Sequence, residues 1–329
     1  MKFTRRLILG VGLAAGFGVA ASAFTQPAMA EFTPKKPIEF VIMAGEGGGA
    51  DKLARFIQSI VEKHKLSPVP LIPINKGGGS GAEALRYLKD KKGDDHVIMA
   101  TLNSYYTTPL RNPGIGVDIT EFTPVARLAE DTFILWVSSD SDIKSVEDYI
   151  KTVKEKGAEW KMGGTGTGQE DSLVTAMLEK AYGLKMTYVP YKGGGAVAKD
   201  LVGGHVQSTV NNPSEQMGFF QAGKSRPLAA FTPEPIAGFE KVPTFASLGK
   251  QDMNYFMQRS VVAPGGISKE AADWYVNLFK KVYDSSEWQD YCKKQALQCA
   301  WLTGDKLQSY FQTEKKVHEA LLKDMGEIK

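Results

Sequence analysis

Residues 45–49 read Gly-Glu-Gly-Gly-Gly, and they open a plan that the chain uses twice. The first copy runs through helical spacing and a strand-like run to a second glycine turn at residues 76–79. The other copy runs from residues 163–168, Gly-Gly-Thr-Gly-Thr-Gly, to residues 192–195, Lys-Gly-Gly-Gly. A glycine turn between a strand and a helix aims backbone N–H groups at one point, which suits an anion. The repeat therefore predicts two similar lobes, each with a pair of anion-binding loops.

Residues 1–30 have the pattern of a cleaved export signal. A basic start with Lys2, Arg5 and Arg6 precedes a short apolar stretch and the small-x-small site at residues 28–30. We expect export by the Sec or the twin-arginine route, cleavage after Ala30 and a periplasmic location; a retained membrane anchor is the alternative. Without this segment, 37 basic residues face 37 acidic ones. This balance, with no basic stripe, argues against nucleic-acid binding.

Strand-like and helical patterns alternate along the chain, which predicts an α/β fold with mostly parallel sheets. We predict a signal peptide at 1–30, one lobe from residues 31–130 plus 228–329, a second lobe from 131–227, and a ligand cleft between them. The chain would cross between lobes at 122–137 and return at 228–231. Predicted helices cover residues 51–64, 80–91, 146–156, 169–182, 196–202, 214–221, 269–283, 287–295 and 305–325. Further predicted strands cover residues 38–43, 69–74, 96–100, 161–162, 186–189, 207–210 and 257–263.

The cysteines and histidines give no metal or cofactor motif. Cys292 and Cys299 are too far apart to bond if one helix carries both, so a disulfide requires the helix to end between them. Both states are open from the sequence. The four histidines are widely separated and form no HExxH motif, so we predict no metal and no cofactor.

Two nucleotide-binding patterns occur in the wrong context. Residues 218–225 match the Walker A pattern, but a predicted helix precedes them and a predicted strand follows, the reverse of a P-loop. Gly223 is more simply the glycine that ends a helix. The first glycine turn resembles a dinucleotide fingerprint, but the next strand ends at residues 75–76 without the ribose-binding acid.

Three acids near the glycine turns allow an enzymatic alternative. Glu46, Glu170 and Asp171 could serve an exported hydrolase or another enzyme on the same scaffold. Local structure explains two of them, because Thr167 and Glu170 have capping-box spacing and Asp171 lies in a first helical turn. Glu46 would repel a carboxylate unless it pairs with Lys76, Lys192 or a cationic part of the ligand.

Several segments together carry a family resemblance. They include residues 121–126, 189–195 (Val-Pro-Tyr-Lys-Gly-Gly-Gly), 200–204 (Asp-Leu-Val-Gly-Gly) and 262–266. The chain from residue 31 onward resembles the solute-binding receptors of tripartite tricarboxylate transporters, the Bug family. The resemblance implies a two-lobed, flytrap-like periplasmic binding protein of class II. It implies a non-enzymatic, monomeric receptor that captures a small carboxylate and delivers it to transporter membrane subunits. A sensor kinase ectodomain is an alternative partner.

The resemblance also places the ligand-facing loops at residues 45–51, 77–81, 101–104, 165–172, 192–196 and 211–214. The residues expected to contact the ligand are Gly45, Glu46, Gly47, Gly48, Gly49, Asp51, Gly78, Gly79, Ser80, Asn103, Ser104, Thr165, Thr167, Gln169, Asp171, Ser172, Lys192, Gly193, Gly194, Gly195, Asn211 and Asn212. The family usually has prolines before its first glycines and a Ser-Pro-Ser-like stretch where this chain has residues 169–171. Both departures add acid, so a ligand with an amino group or a metal-complexed carboxylate is an alternative to a plain dicarboxylate.

Overall fold

The computed structural model describes residues 32–329, and the predicted export signal lies outside them. The α-helices are α1 Gly49–Lys63, α2 Ala82–Asp90, α3 Ser104–Arg111, α4 Val146–Lys156, α5 Glu170–Tyr182, α6 Gly194–Val202, α7 Pro213–Gln221, α8 Lys269–Asp284, α9 Ser286–Gln295 and α10 Gly304–Asp324. The strands are β1 Ile38–Ile42, β2 Leu71–Asn75, β3 Val97–Thr101, β4 Thr123–Asp131, β5 Ile134–Ser138, β6 Lys161–Thr165, β7 Thr187–Tyr191, β8 Ser208–Thr209, β9 Ser225–Ala230, β10 Met257–Ala263 and β11 Gln298–Leu302. Every predicted helix and strand is present, and α3 and β11 were not predicted.

The strands form two sheets, each flanked by helices. The first sheet has the order β11-β4-β10-β3-β1-β2 and the second has the order β7-β6-β8-β5-β9. The two-lobed α/β prediction is confirmed. Both sheets are mixed: β1 pairs in parallel with β2 and β3, and β6 with β7 and β8, whereas β5 and β10 pair with their neighbours antiparallel. The antiparallel strands are those next to the crossings between sheets.

The parallel strands decide where the site lies. Strands β1, β2 and β3 end on one edge of their sheet, so the loops that follow them emerge together; β6, β7 and β8 do the same in the second sheet. Helix α1 shows why these loops lead into helices. Its apolar residues Leu53, Ile57 and Ile60 recur on one face and are buried against the sheet.

The chain crosses between the sheets at residues 132–133 and again after Ala230. At the first crossing, the ring of Phe133 packs edge-on against Tyr255 at 5.5 Å, within a buried apolar cluster that contains residues of both sheets. The predicted lobe boundaries stay a prediction. Strand β9 pairs with β5 through to Ala230, so the second sheet extends past residue 227, where we had placed the boundary.

Two local predictions can be compared with the structure. Helix α9 ends at Gln295, Ala296 takes a left-handed conformation, and Cys292 bonds to Cys299 with their Cα atoms 6.0 Å apart. The helix thus ends between the cysteines, as a disulfide requires. Helix α7 precedes Gly223, which has a φ of 68°, and β9 follows it, so the rejection of a P-loop is confirmed. Among residues 32–329, no helix is both long and apolar enough to cross a bilayer.

Candidate functional site

Loops from both sheets enclose a small polar cavity. Water has about 30 Å³ of space in it, enough for one or two molecules. The lining residues are Ala44, Gly48, Gly49, Ala50, Leu102, Thr165, Gln169, Glu170, Asp171, Lys192, Gly193, Gly194, Asn212, Glu215, Met257 and Arg259. They include the first residues of helices α1, α5 and α6. The N-terminal end of each helix carries partial positive charge and free N–H groups, so the cavity is framed by anion-binding elements.

Glu215, on the first turn of α7, reaches across the cleft to the N-terminus of α1. Its Oε1 accepts a hydrogen bond from the backbone N–H of Gly49 at 2.9 Å. The carboxylate also lies against Gly194 at the start of α6, since a Cβ built there would be 2.1 Å from Oε2. Burial raises the pKa of Glu215, although the Gly49 N–H and Arg259 oppose that change. A carboxylate of the protein therefore takes the place that an anionic ligand would take at α1.

Glu170 does the same at the N-terminus of α3. Its Oε1 accepts a hydrogen bond from the backbone N–H of Ser104 at 2.5 Å. The capping-box prediction is wrong, because Gln169 rather than Thr167 occupies the N-cap position of α5, and the Glu170 side chain is directed across the cleft to Ser104. Burial raises the pKa of Glu170 to about 7.

Asp171 completes the acidic lining from within the second lobe. Its Oδ2 accepts a hydrogen bond from the backbone N–H of Thr165 at 2.9 Å, and it is 3% exposed. Burial raises the pKa of this carboxyl well above its usual range, and the neighbouring Glu215 adds to the shift. The buried hydroxyl of Thr165 lies beside this carboxyl and lowers its pKa in part.

A buried ion pair forms the other side of the cavity. Arg259 of β10 binds Asp131, at the end of β4, through Nε at 3.1 Å and through Nη2, and Nη2 also donates to Asn212 Oδ1 at 3.2 Å. Burial lowers the pKa of Arg259, but Asp131 and the nearby glutamates outweigh it, so the net shift is upward. Burial raises the pKa of Asp131 despite this partner.

The structure brings many of the predicted site residues to the cavity. Those that line it are Gly48, Gly49, Thr165, Gln169, Asp171, Lys192, Gly193, Gly194 and Asn212. Others join the two halves of the cleft without lining it: Gly45 donates to the Lys192 carbonyl at 3.2 Å, and Ser80 Oγ donates to the Thr167 carbonyl at 3.1 Å. Gly195 packs closely against Gly47, since a Cβ added to Gly195 would lie 2.5 Å from the Gly47 carbonyl oxygen.

The remaining predicted residues have other partners. Asp51 accepts hydrogen bonds from the backbone of Gly47 and the side chains of Arg55 and Asn75. Asn103 holds β10 through the Gln258 N–H, Asn211 donates to the Gly194 carbonyl, and Ser172 accepts from the Gly168 N–H.

The turn at Gly78 and Gly79 lines a separate surface depression, where the Gly78 N–H donates to Glu83. Glu46 is exposed and lies outside the cavity lining. Lys76 pairs with Glu83 at 3.4 Å, and within residues 32–329 Glu46 forms no ion pair with Lys76 or Lys192.

Sequence reasoning missed Glu215, Arg259 and Asp131. Arg259 could have been noticed from the sequence, because it is a charged residue inside the predicted strand 257–263. In the structure its side chain is buried. Glu215 gave little signal, since an acid in a first helical turn is ordinary. Among the described residues, no three histidine, cysteine or acidic side chains converge to hold a metal ion.

Two mixed sheets whose strand-to-helix turns line one cavity are the architecture of two-lobed solute-binding proteins. The chain belongs to the tripartite tricarboxylate transporter receptor family, whose model matches residues 53–327. It is 25% identical over 273 residues to protein BugT of Bordetella pertussis, covering 81% of this chain and 80% of that one.

Two solved structures share the fold. The periplasmic binding protein BugD superposes with a TM-score of 0.85 at 19% identity, over 90% of this chain and 99% of that chain. The R. palustris protein Rpa4515, solved with adipate, superposes with a TM-score of 0.84 at 24% identity. The match covers 89% of this chain and 98% of that chain.

Proposed function

We propose that this protein is a periplasmic receptor that captures a small organic carboxylate and delivers it to the membrane subunits of a tripartite transporter. One observation carries the proposal: helix N-termini from both lobes meet at a single enclosed cavity, with Arg259 in its wall. This is a preformed set of donors for an anion. Family membership and the adipate in a structural relative agree with it.

Capture requires the lobes to separate. The space for water in the cavity is about 30 Å³, which is less than a carboxylate of several carbons occupies, so in this proposal the glycine turns move apart to admit one. Polar contacts hold them together, such as the Gly45 N–H to the Lys192 carbonyl and Lys52 Nζ to the Ser214 carbonyl at 2.9 Å. Water can replace such bonds at little cost. The crossings at residues 132–133 and after Ala230 are where we place the hinge.

The test is calorimetry on the protein from residue 31 onward, with succinate, glutarate, adipate and citrate as probes. We expect at least one to bind with one-to-one stoichiometry and to raise the thermal unfolding temperature. If no carboxylate produces heat or a thermal shift, the proposal is wrong. Sequencing the amino terminus of the exported protein, expected at Glu31, tests the periplasmic location.

An enzyme on this scaffold is the second candidate, because a buried carboxyl whose pKa is near 7 suits a general base. A receptor returns its ligand unchanged. Prolonged incubation with equimolar bound carboxylate, followed by NMR of the small molecule, separates the two functions. Capture of the loaded protein by transporter subunits, compared with a sensor kinase ectodomain, identifies the partner.

A further inference from the structure

The side chains that line the cavity include three carboxylates and two cationic groups. Glu170, Asp171 and Glu215 are each more than nine-tenths buried, and each accepts one backbone N–H. The second oxygen of Glu215 receives no hydrogen bond from residues 32–329. The buried hydroxyl of Thr165 lies in the same lining beside Asp171. A ligand that donates hydrogen bonds would satisfy these groups, whereas a plain dicarboxylate has no donor to offer.

The buried charges of the site do not balance. Asp131 is compensated by Arg259, which leaves the three lining acids without a fixed buried cation among the described residues. Lys52 donates to the Ser214 carbonyl, and Lys192 lines the cavity with its side chain exposed. Buried carboxylates are costly unless a cation or a proton accompanies them. A cationic group of the ligand would supply this compensation.

Three backbone donors that a dicarboxylate could use are already bound within the protein. The N–H groups of Gly49, Ser104 and Thr165 are bound to the protein's own carboxylates. Nη1 of Arg259 makes no hydrogen bond to the described residues, while Nε and Nη2 hold Asp131, so this guanidinium nitrogen can donate to a carboxylate. The cavity thus combines one guanidinium donor with a group of acids, a polarity that matches a molecule with both charges.

We propose that the solute bound here carries an ammonium group beside its carboxylate, with Glu170, Asp171 and Glu215 around the ammonium and Arg259 at the carboxylate. The inference rests on the proposed function and narrows it from organic acids to amino-carboxylates. An ammonium satisfies up to three acceptors at once, so it can bond to more than one of the acids that line the cavity.

The pH dependence of binding separates this ligand from a plain dicarboxylate. The titratable and charged groups that face the three acids are Tyr106, Asp131, Tyr188, Tyr255, Arg259 and Lys52. Burial raises the pKa of Glu170 to about 7, and those of Asp171 and Glu215 are raised as well. An ammonium favours the ionised acids, so its binding releases protons and tightens as pH rises through about 7. A plain dicarboxylate would bind better as pH falls.

The experiment is calorimetry with matched pairs that differ only by an amine: succinate with L-aspartate, and glutarate with L-glutamate. Butylamine and succinate plus MgCl₂ are added probes. We expect the amino member of a pair to bind about tenfold more tightly or better at pH 8, a change of about 1.4 kcal/mol per tenfold. We also expect proton release, read from the dependence of the binding heat on the buffer.

Isosteric variants locate the contact. Glu215→Gln and Glu170→Gln should each weaken the amino ligand by about tenfold while leaving its plain partner unchanged or tighter. Glu155→Gln, an exposed acid on α4, is the matched control and should change neither. Thermal unfolding reports whether each variant is folded; if one is not, the pH series on the unchanged protein decides.

Each other outcome contradicts the inference. If succinate or glutarate binds as tightly as its amino partner, or only MgCl₂ strengthens succinate, the ammonium is wrong and the proposed carboxylate receptor stands. If butylamine binds and no carboxylate does, the carboxylate receptor is wrong as well. If nothing binds, both fail.

Discussion

At the scale of single residues, Arg259 and Asp131 dominate the electrostatics of the site. Their side chains are 3% and 1% exposed, and Asn212 accepts a further bond from the same guanidinium. Asp131 ends β4 next to the crossing, and Arg259 lies on β10 in the same sheet. Asn212 precedes α7 in the second lobe. The Arg259 guanidinium therefore contacts both lobes beside the crossing. Breaking such a buried pair leaves an uncompensated charge, which is more costly than losing the pair altogether.

Arg259→Met should therefore destabilise the protein more than the double variant Arg259→Met/Asp131→Asn. We expect a loss of about 3–5 kcal/mol for the single variant at pH 7, with a substantial part restored in the double one. Because burial already raises the pKa of Asp131, the single variant should recover stability as pH falls and this carboxyl gains a proton. Urea unfolding of both variants at a series of pH values measures these free energies of unfolding. Equal losses in the single and double variants at pH 7 would contradict the argument.

Sequence alone could suggest that Arg259 is special but not why. A charged residue in an apolar strand needs a buried partner, yet Asp131 lies 128 positions away and only the sheet pairing brings it close. Glu170 shows the opposite error. Its local spacing fits a cap, but the N–H of Ser104 from the other lobe binds its carboxylate. Local patterns cannot reveal a partner that arrives through tertiary structure.

At the scale of elements, the glycine turns are needed for close approach across the cleft. A Cβ on Gly45 would lie 2.5 Å from the Lys192 carbonyl oxygen, and one on Gly194 would lie within 2.3 Å of both Glu215 oxygens. These contacts are far closer than a side-chain carbon permits. The turns therefore act as matched surfaces that let the lobes meet, in addition to presenting N–H groups.

Gly194→Ala should weaken ligand binding, because its methyl group displaces the Glu215 carboxylate from the closed cleft. We expect a loss of about tenfold or more in affinity for whichever carboxylate binds, measured by calorimetry. Gly218→Ala is the control, since a Cβ there meets no atom within 4 Å and the helix α7 should gain up to about 1 kcal/mol in stability. An unchanged affinity in Gly194→Ala would show that ligand binding does not require the Glu215 carboxylate at its position beside Gly194.

The sequence predicted elements better than it predicted their placement. Periodicity and glycine turns located nearly all strands and helices, because those signals are local. Helix α3 was missed since it is short, contains Pro109 and is rich in threonine and tyrosine. The family resemblance places the turn at Gly78 at the ligand; in the structure Glu83 binds its N–H and the turn lines a separate depression.

At the scale of the whole molecule, the proposed closure would couple the lobes to protons. In this structure the two lobes meet, carboxylates of the second lobe are buried against α1 and α3, and their pKa values are raised. In an open form the same groups meet water, where a glutamate has its ordinary pKa of about 4.3. Closing the ligand-free protein therefore takes up protons, and the closed form loses stability relative to the open one as pH rises.

We expect the radius of gyration of the ligand-free protein, measured by small-angle X-ray scattering, to increase as pH rises through about 7, the pKa of Glu170. A pKa change from about 4.3 to about 7 corresponds to a few kcal/mol. This free energy is enough to shift an equilibrium between open and closed arrangements of the lobes. The double variant Glu170→Gln/Glu215→Gln should remove most of this dependence, whereas Glu155→Gln should keep it. An amino-carboxylate should close the cleft at high pH, where its ammonium replaces the protons. A radius that stays constant between pH 5 and 9 (about two units either side of the Glu170 pKa) would mean that burial of these carboxylates does not govern closure.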